Sequence, residues 1–285
     1  MSTLVQPQRH ESFLVHRRFL YLWMALILSV SSVVAYVWLE PVRGNEGGTW
    51  LGYTLGTIAT LLIAWLMLLG LRKRIYSKGA YSLKAWVSAH VYLGLATAVI
   101  ATLHAAFQVG WNIHTLAYVL MMVVIISGIF GIVAYARIPR RMTYNRQSRS
   151  LAEMAKLCAE IDQECGAIAL PLGDRFVEAV RMAQQETRLG GSTWRILRAR
   201  DPRDGTEQAL ARLRKLATET HGPDARAVSS LMVALGRKQS LLQTMRRDLR
   251  LKALMDLWLL VHVPLSFALL AALTAHIVVV FFYWG

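Results

Sequence analysis

Residues 115–136 read TLAYVLMMVVIISGIFGIVAYA, a run of 22 residues without a charged side chain. About 20 apolar residues in a helix cross the roughly 30 Å hydrocarbon core of a bilayer, so this run predicts a membrane-spanning helix. Three similar runs precede it and one follows. The sequence therefore predicts an all-α, polytopic membrane bundle with five transmembrane helices and a helical cytoplasmic insert. The five predicted spans are 19–39, 51–71, 85–109, 115–136 and 253–284.

The composition supports a membrane protein and excludes several other classes. Of the 285 residues 55% are hydrophobic, whereas soluble domains have about 45–50%. Two cysteines are too few for a disulfide scaffold, and the long apolar runs exclude intrinsic disorder and collagen-like repeats. The net charge of +15 lies mostly beside the apolar runs. Such clusters are typical of membrane topology, so we expect no nucleic-acid partner.

The basic residues also predict the orientation of the chain. They are concentrated before the first span, between spans two and three, after span four and before span five, whereas segment 40–50 has only Arg43 and segment 110–114 has none. Positively charged connections stay inside, which predicts a multi-pass protein of the bacterial inner (cytoplasmic) membrane. Its N-terminus is then cytoplasmic and its C-terminus periplasmic. The predicted organisation is a cytoplasmic segment 1–18, spans one to four in 19–136, a cytoplasmic insert 137–252, and span five in 253–285.

The insert has the periodicity of helices that pack on one another. Asp174 is predicted to cap one of them and Thr206 to precede another, and Pro223 is predicted to begin a last helix that continues into span five. The insert lacks a cofactor motif, which favours a scaffold or a docking surface. A stripe at three- and four-residue spacing consists of Leu151, Met154, Cys158, Ile161 and Cys165.

Cys158 and Cys165 lie seven residues apart on one predicted helix face. They could form a redox pair, but reduced cytosolic cysteines usually pack as small apolar residues, and we favour the core interpretation.

Four histidines lie inside predicted spans: His90 and His104 in span three, His262 and His276 in span five. Each pair is separated by fourteen residues, and fourteen residues at about 100° each fall about 40° short of four full turns. The two histidines of a pair therefore share a helix face, about 21 Å apart along the axis. His114 is predicted at the outer interface, where we expect a helix cap or a headgroup contact.

Spans three and five run in the same direction, because one span separates them. His90 is then level with His262, and His104 with His276. Neutral imidazole is a good iron ligand and a common axial ligand of haem. We therefore predict that His90 and His262 bind the iron of an inner haem b, and His104 and His276 that of an outer haem b. A single intramembrane histidine more often bonds a neighbouring helix or relays protons, but two equal spacings favour haem.

Two His-x13-His pairs on parallel spans separated by one span resemble dihaem cytochrome b. The pattern is similar to that of the cytochrome b subunit of quinol–cytochrome c reductases and of the ferric-reductase-like transmembrane family. The closing stretch, from His262-Val-Pro-Leu-Ser-Phe through Ala-His276 to Phe-Tyr-Trp, resembles bacterial membrane cytochromes b that work beside multihaem c-type cytochromes. Ferric-reductase-like enzymes often add a flavin and nicotinamide domain, which this sequence lacks. The cytochrome b subunits of quinol–cytochrome c reductases have further spans and a quinol-oxidation motif containing Pro-Glu-Trp, and these are also absent. Neither family's substrate is therefore implied.

These patterns predict electron transfer across the membrane by the cytochrome b subunit of a membrane oxidoreductase. It would link the quinone pool to a redox protein, a c-type cytochrome or an iron–sulfur protein, within a multi-subunit complex in contact with membrane lipid. Quinone or quinol is then a further ligand. No residue is predicted to be catalytic, because the chain has no recognisable substrate-converting module. Two alternatives stay open: a proton-relay transporter subunit and a haem-free membrane anchor.

Overall fold

The computed structural model of the chain describes residues 13–39, 47–74, 82–145, 149–197 and 204–283. The predicted N-terminal segment 1–18 lies largely outside these residues. In the described ranges every regular element is helical, and two short 3-10 helices occur at Phe13–Val15 and Leu170–Leu172. The α-helices are α1 (Leu20–Trp38), α2 (Trp50–Arg74), α3 (Leu83–His104), α4 (Ile113–Asn145), α5 (Leu151–Ala169), α6 (Asp174–Gln185), α7 (Thr193–Leu197), α8 (Gly205–Glu219) and α9 (Asp224–Tyr283).

Among the described residues, five helices are long and apolar enough to cross a membrane: α1, most of α2, α3, most of α4, and α9. The predicted fold class is thereby confirmed. Large apolar side chains remain exposed on these helices, with Ile27 of α1 at 67% and Ile126 of α4 at 61%. Such surfaces are unfavourable in water and favourable in a bilayer, so these side chains contact lipid in a multi-pass membrane protein.

The chain divides into two compact units. The membrane unit contains residues 1–133 and 258–285, and the insert unit contains residues 134–257. The sequence pattern had placed the insert at 137–252. Both α4 and α9 contribute residues to each unit.

In the membrane unit, α2 packs along α3. Leu51, Leu55 and Ala59 of α2 form a buried cluster with Ile100 and Leu103 of α3. These positions recur at three- and four-residue spacing, which puts them on one face of each helix. The cluster surrounds the end of α3 that carries His104.

The third span ends earlier than the sequence suggests. Helix α3 stops at His104, whereas the apolar run continues to Val109. Ala106 and Phe107 follow with φ of 46° and 59°, left-handed values that non-glycine residues rarely adopt and that end a right-handed helix. The turn leads into α4, and the Thr102 and Tyr118 hydroxyls, 3.0 Å apart, join the two helices.

The insert unit is a helical domain with its own apolar core, which contains Cys165, Val180, Leu213 and Leu231 from α5, α6, α8 and α9 respectively. The predicted stripe on α5 is confirmed, since all its members except the half-buried Leu151 are buried. The prediction of one last helix that enters the fifth span is also confirmed, because α9 is continuous over 60 residues.

Two predicted helix starts are wrong, the cap at Asp174 and the position of Thr206 before its helix. Gly173, at φ 99°, is the N-cap of α6, and Asp174 is the first helical residue, where its charge favours the helix dipole. Helix α8 begins at Gly205 after Asp204, so Thr206 lies inside it. The Thr206 hydroxyl is 2.7 Å from that of Thr187, which explains why a buried threonine occupies this position.

Cys158 and Cys165 are buried, unlinked thiols, so the core interpretation is confirmed. Burial is the largest cause that raises the pKa of both thiols, that of Cys165 to about 11. A thiol with such a pKa is almost entirely protonated at neutral pH and is therefore a poor nucleophile.

Two buried charges in the insert unit, those of Lys238 and Asp204, are paired with opposite charges. Lys238, whose side chain is 3% exposed, donates from Nζ to Asp162 Oδ1 at 2.5 Å and to the Ala183 carbonyl at 2.8 Å. Arg246 donates to the buried Asp204 carboxylate at 2.8 Å. Removing one partner would leave the charge of the other uncompensated. Each pair therefore stabilises the packing of the segments that it joins.

Candidate functional site

The two histidines of α3 are held by backbone carbonyls of α2. His90 Nδ1 lies 3.1 Å from the Leu66 oxygen, and His104 Nδ1 lies 2.7 Å from the Gly52 oxygen. A carbonyl only accepts, so each ring donates its Nδ1–H. In a neutral imidazole the other nitrogen, Nε2, then carries the lone pair, which is the form that ligates a metal.

A glycine makes room for His104. A Cβ added at Gly56 would lie 2.7 Å from Cε1 and 2.9 Å from Nδ1 of the His104 ring. Gly56 and Gly52 lie one turn apart on α2, so one helix face provides both the space for this ring and the acceptor for its Nδ1–H. Any larger residue at position 56 would displace the ring.

The first histidine of α9 is held by a side chain of α4. His262 Nδ1 is 2.6 Å from Ser127 Oγ. The Ser127 hydroxyl donates to the Val124 carbonyl at 2.8 Å, so its oxygen accepts the Nδ1–H of His262. One turn before His262, Trp258 donates from Nε1 to the Ser127 carbonyl at 2.8 Å, which ties α9 to α4 a second time.

The second histidine of α9 contacts His114, so the predicted helix cap is wrong, whereas the alternative, a headgroup contact, stays a prediction. His114 Nδ1 lies 2.6 Å from His276 Nδ1, with ring centroids 4.5 Å apart. The cap of α4 is Asn112 instead, whose Oδ1 accepts from the Thr115 backbone N–H at 2.9 Å. An asparagine side chain makes this N-cap bond readily, whereas the longer His114 side chain points to α9.

The structure brings His104 and His276 together, as their predicted pairing requires. Their ring centroids are 6.0 Å apart and the ring planes are nearly perpendicular, at 87°. The histidines of the other predicted pair, His90 and His262, are held by Leu66 and Ser127 respectively.

The four contacts follow one scheme in two halves of the candidate site, one formed by α2 and α3 and the other by α4 and α9. The two helices of each half are antiparallel. The partners of His90 and His104 are Leu66 and Gly52, in reverse order along α2. The partners of His262 and His276 are likewise Ser127 and His114, in reverse order along α4. Each half therefore has one helix that carries the histidines and one that holds them.

A tryptophan precedes the first histidine by one turn in both halves. Trp86 precedes His90 and stacks on Trp65 of α2, with centroids 4.9 Å apart and planes 6° apart. Trp258 precedes His262, with ring centroids 5.2 Å apart. The repeat Trp-x3-His-x13-His is visible in the sequence and would have identified both tryptophans. No sequence signal identifies the carbonyl acceptors, because every residue has one.

The separation of His104 and His276 is compatible with the two axial positions of a haem iron. In the part of the chain that the structure describes, no group of three or more His, Cys, Asp or Glu side chains is arranged to hold a metal. A protein zinc site needs three or four such ligands, whereas the porphyrin supplies four of the ligands of haem iron and leaves two axial positions. Histidine–metal bonds of about 2 Å put two opposed rings about 6 Å apart, close to the separation of His104 and His276.

No family model, curated protein or solved structure matches this chain. Arguments about its function therefore depend on the histidines and their surroundings.

Proposed function

We propose that this protein transfers electrons across a membrane through two b-type haems. His90 and His262 hold one, and His104 and His276 hold the other. The observation that carries the proposal is the approach of the His104 and His276 rings, 6.0 Å apart, with the Nδ1 atom of each in a hydrogen bond. Repetition of the same anchoring at His90 and His262 extends the argument to a second site.

A haem bound at each pair would supply one-electron chemistry. The chain's own groups do the rest. The Leu66 and Gly52 carbonyls keep the proton of His90 and His104 on Nδ1, and Ser127 does so for His262. Acceptors at Nδ1 fix the ring orientation and make Nε2 a stronger donor. The apolar helices exclude water from both pairs.

The basic segments support a location in the bacterial inner membrane, with the N-terminus in the cytoplasm and the C-terminus in the periplasm. The His90–His262 pair would then lie nearer the cytoplasm, on the same side as the insert. In this arrangement the chain is the cytochrome b subunit of an oxidoreductase complex. It exchanges electrons with the quinone pool at one face and with a c-type cytochrome or iron–sulfur protein at the other.

One observation favours a different function, proton relay. His104, His276 and His114 form a sequence of neighbouring rings, and intramembrane histidines carry protons in pumps and transporters. A relay does not explain why His90 and His104 each donate Nδ1–H to a carbonyl, because a carbonyl cannot pass the proton on. It also does not explain two identical spacings. Haem ligation accounts for both.

The test is a haem assay of the purified full-length protein. We expect a reduced-minus-oxidised spectrum of low-spin haem b, two haems per chain, and complete extraction by acid acetone. His90→Ala and His262→Ala should abolish the same spectral component, and His104→Ala and His276→Ala the other. His221→Ala, outside the spans, is the matched control and should retain both.

A preparation without haem that still moves protons would support the relay instead. If His90→Ala and His276→Ala removed the same component, the proposed pairing would be wrong.

A further inference from the structure

The proposed pairing of the histidines does not require the contact between His114 and His276. This contact joins Nδ1 to Nδ1 at 2.6 Å with nearly perpendicular rings, at 89°. We infer that His114 is a positioning residue. Its imidazole accepts the Nδ1–H of His276, fixes the orientation of that ring, and strengthens Nε2 as a ligand for one of the two haems. This inference rests on the proposed function.

The local structure holds His114 in place. Asn112 caps α4 through Thr115, and the Thr115 hydroxyl accepts from the Gly110 backbone N–H at 3.0 Å. These bonds define the first turn of α4, in which His114 is the second residue. Ala106 and Phe107, in the left-handed region, turn the chain from α3 into this short connection. Such backbone conformations cost free energy and persist where the surrounding structure enforces them.

The proton positions follow from the chemistry. If His276 binds iron through Nε2, its neutral ring carries the proton on Nδ1. His114 must then accept at Nδ1 and carry its own proton on Nε2, since an Nδ1–H on both rings would bring two donors together.

The four acceptors differ in strength. An imidazole nitrogen is a stronger base than the carbonyls at His90 and His104 or the hydroxyl at His262. His276 should therefore have the greatest anionic character of the four rings. A more basic axial ligand stabilises ferric over ferrous iron, so this contact should lower the reduction potential of the haem that His104 and His276 share. Its removal should raise that potential.

Two variants test this on the intact, haem-loaded protein. His114→Phe keeps a ring but has no acceptor. His114→Asn puts an amide oxygen near the position of Nδ1 and should restore the hydrogen bond. In His114→Phe we expect two haems per chain, an upward shift of one midpoint potential only, and a change in the low-spin EPR signal of that same haem. At a fixed potential near the midpoint the reduced-to-oxidised ratio of that haem should rise, because a less basic axial ligand favours ferrous iron. His114→Asn should remain close to wild type.

Ser127→Ala is the matched control, because it removes the acceptor at His262 and should shift the other haem. His114→Leu replaces His114→Phe if the latter does not accumulate. Unchanged potentials and EPR signals in the acceptor-free variant would overturn the inference and leave the proposed function intact. Loss of one haem in His114→Asn, as complete as in His276→Ala, would also overturn it, because His114 would then be a ligand. A wild-type protein without haem would refute the proposed function itself.

Discussion

Two sets of polar side chains, one in each unit of the chain, have different kinds of partner. In the insert unit the buried Lys238 and Asp204 are paired with opposite charges, those of Asp162 and Arg246 respectively. In the membrane unit the half-buried His90, His104 and His262 are bonded through Nδ1 to uncharged groups on a neighbouring helix. In a buried ion pair the two charges compensate each other, and the pair supports the fold. An imidazole that donates from Nδ1 has a second ring nitrogen, Nε2, and bonding of a metal at Nε2 would distinguish a ligand from a structural histidine.

A second difference lies within the membrane unit. Helix α2 holds His90 and His104 through its backbone, whereas α4 holds His262 and His276 through the side chains of Ser127 and His114. Side-chain substitution cannot delete a carbonyl, but it can delete a hydroxyl or an imidazole. The two halves are therefore expected to respond differently to mutation.

The largest effect is expected in the insert. Lys238→Ala leaves Asp162 without its buried partner and should reduce the free energy of unfolding by about 3–5 kcal/mol. Arg237→Ala is the control, because Arg237 pairs with Glu164 at the surface, where a pair contributes about 0–1 kcal/mol. Thermal unfolding in detergent, followed by circular dichroism, measures both. Haem content should remain at two per folded chain, and equal losses in the two variants would contradict the contrast between the units.

A smaller effect is expected at Gly56. In Gly56→Ala the new methyl group meets the His104 ring, which the Gly52 carbonyl holds from the same helix, at a cost of about 1–3 kcal/mol. The haem of His104 and His276 should weaken or disappear, whereas the other should remain. Gly128→Ala is the control, since its Cβ would lie 3.7 Å from His262 Cε1, an ordinary contact. Haem titration of both variants tests this, and equal tolerance of the two alanines would mean that the His104 ring is not confined.

Ser127→Ala should have a milder effect. It removes the acceptor for the Nδ1–H of His262 at a cost of about 1 kcal/mol. The haem of His90 and His262 should shift in potential while remaining bound. Ser266→Ala is matched to it, because the Ser266 hydroxyl donates to the His262 carbonyl within the same helix and does not touch the ring. Redox titration distinguishes the variants, and an equal shift in both would assign the effect to helix α9 and not to the ring.

The cysteines should give no effect at all. Burial raises the pKa of Cys158 and Cys165, so the reactive thiolate remains scarce at neutral pH, and raising the pH to 9 should not expose either thiol. Maleimide should label neither in the folded protein and both after denaturation, as counted by mass spectrometry. Rapid labelling of one cysteine in the folded state would revive the redox-pair interpretation.

The membrane fold was predictable because its signal is long and simple. Apolar runs of about 20 residues or more, with Asp256 the only charged residue inside them, predicted all five spans, and helical periodicity predicted the buried face of α5. The errors lie at helix ends, where a single hydrogen bond or backbone angle determines which residue begins or ends the helix. Gly173 replaced Asp174 as a cap, and α3 ended at His104 although apolar residues continue, because hydropathy does not record a left-handed turn.

Of the candidate site, the sequence selected four residues. The equal spacing selected His90, His104, His262 and His276, because helix geometry converts sequence distance into a shared face. It could not select the contact of His114 with His276, since no periodicity links a residue at the start of α4 to one near the end of α9. Gly52 and Gly56 form a GxxxG motif in the sequence, but that motif does not predict that Gly56 lies beside a ring from another helix.

The two members of each histidine pair lie 172 positions apart in the chain, and the insert provides most of that distance. A ribosome that adds 5–20 residues per second needs about 9–34 s to cover that distance. During this interval the nascent chain already contains α2 and α3, with the carbonyls that orient His90 and His104, but neither His262 nor His276. The insert therefore sets a delay in biogenesis: half of each proposed site is made first, and the last helix to be synthesised completes both sites together.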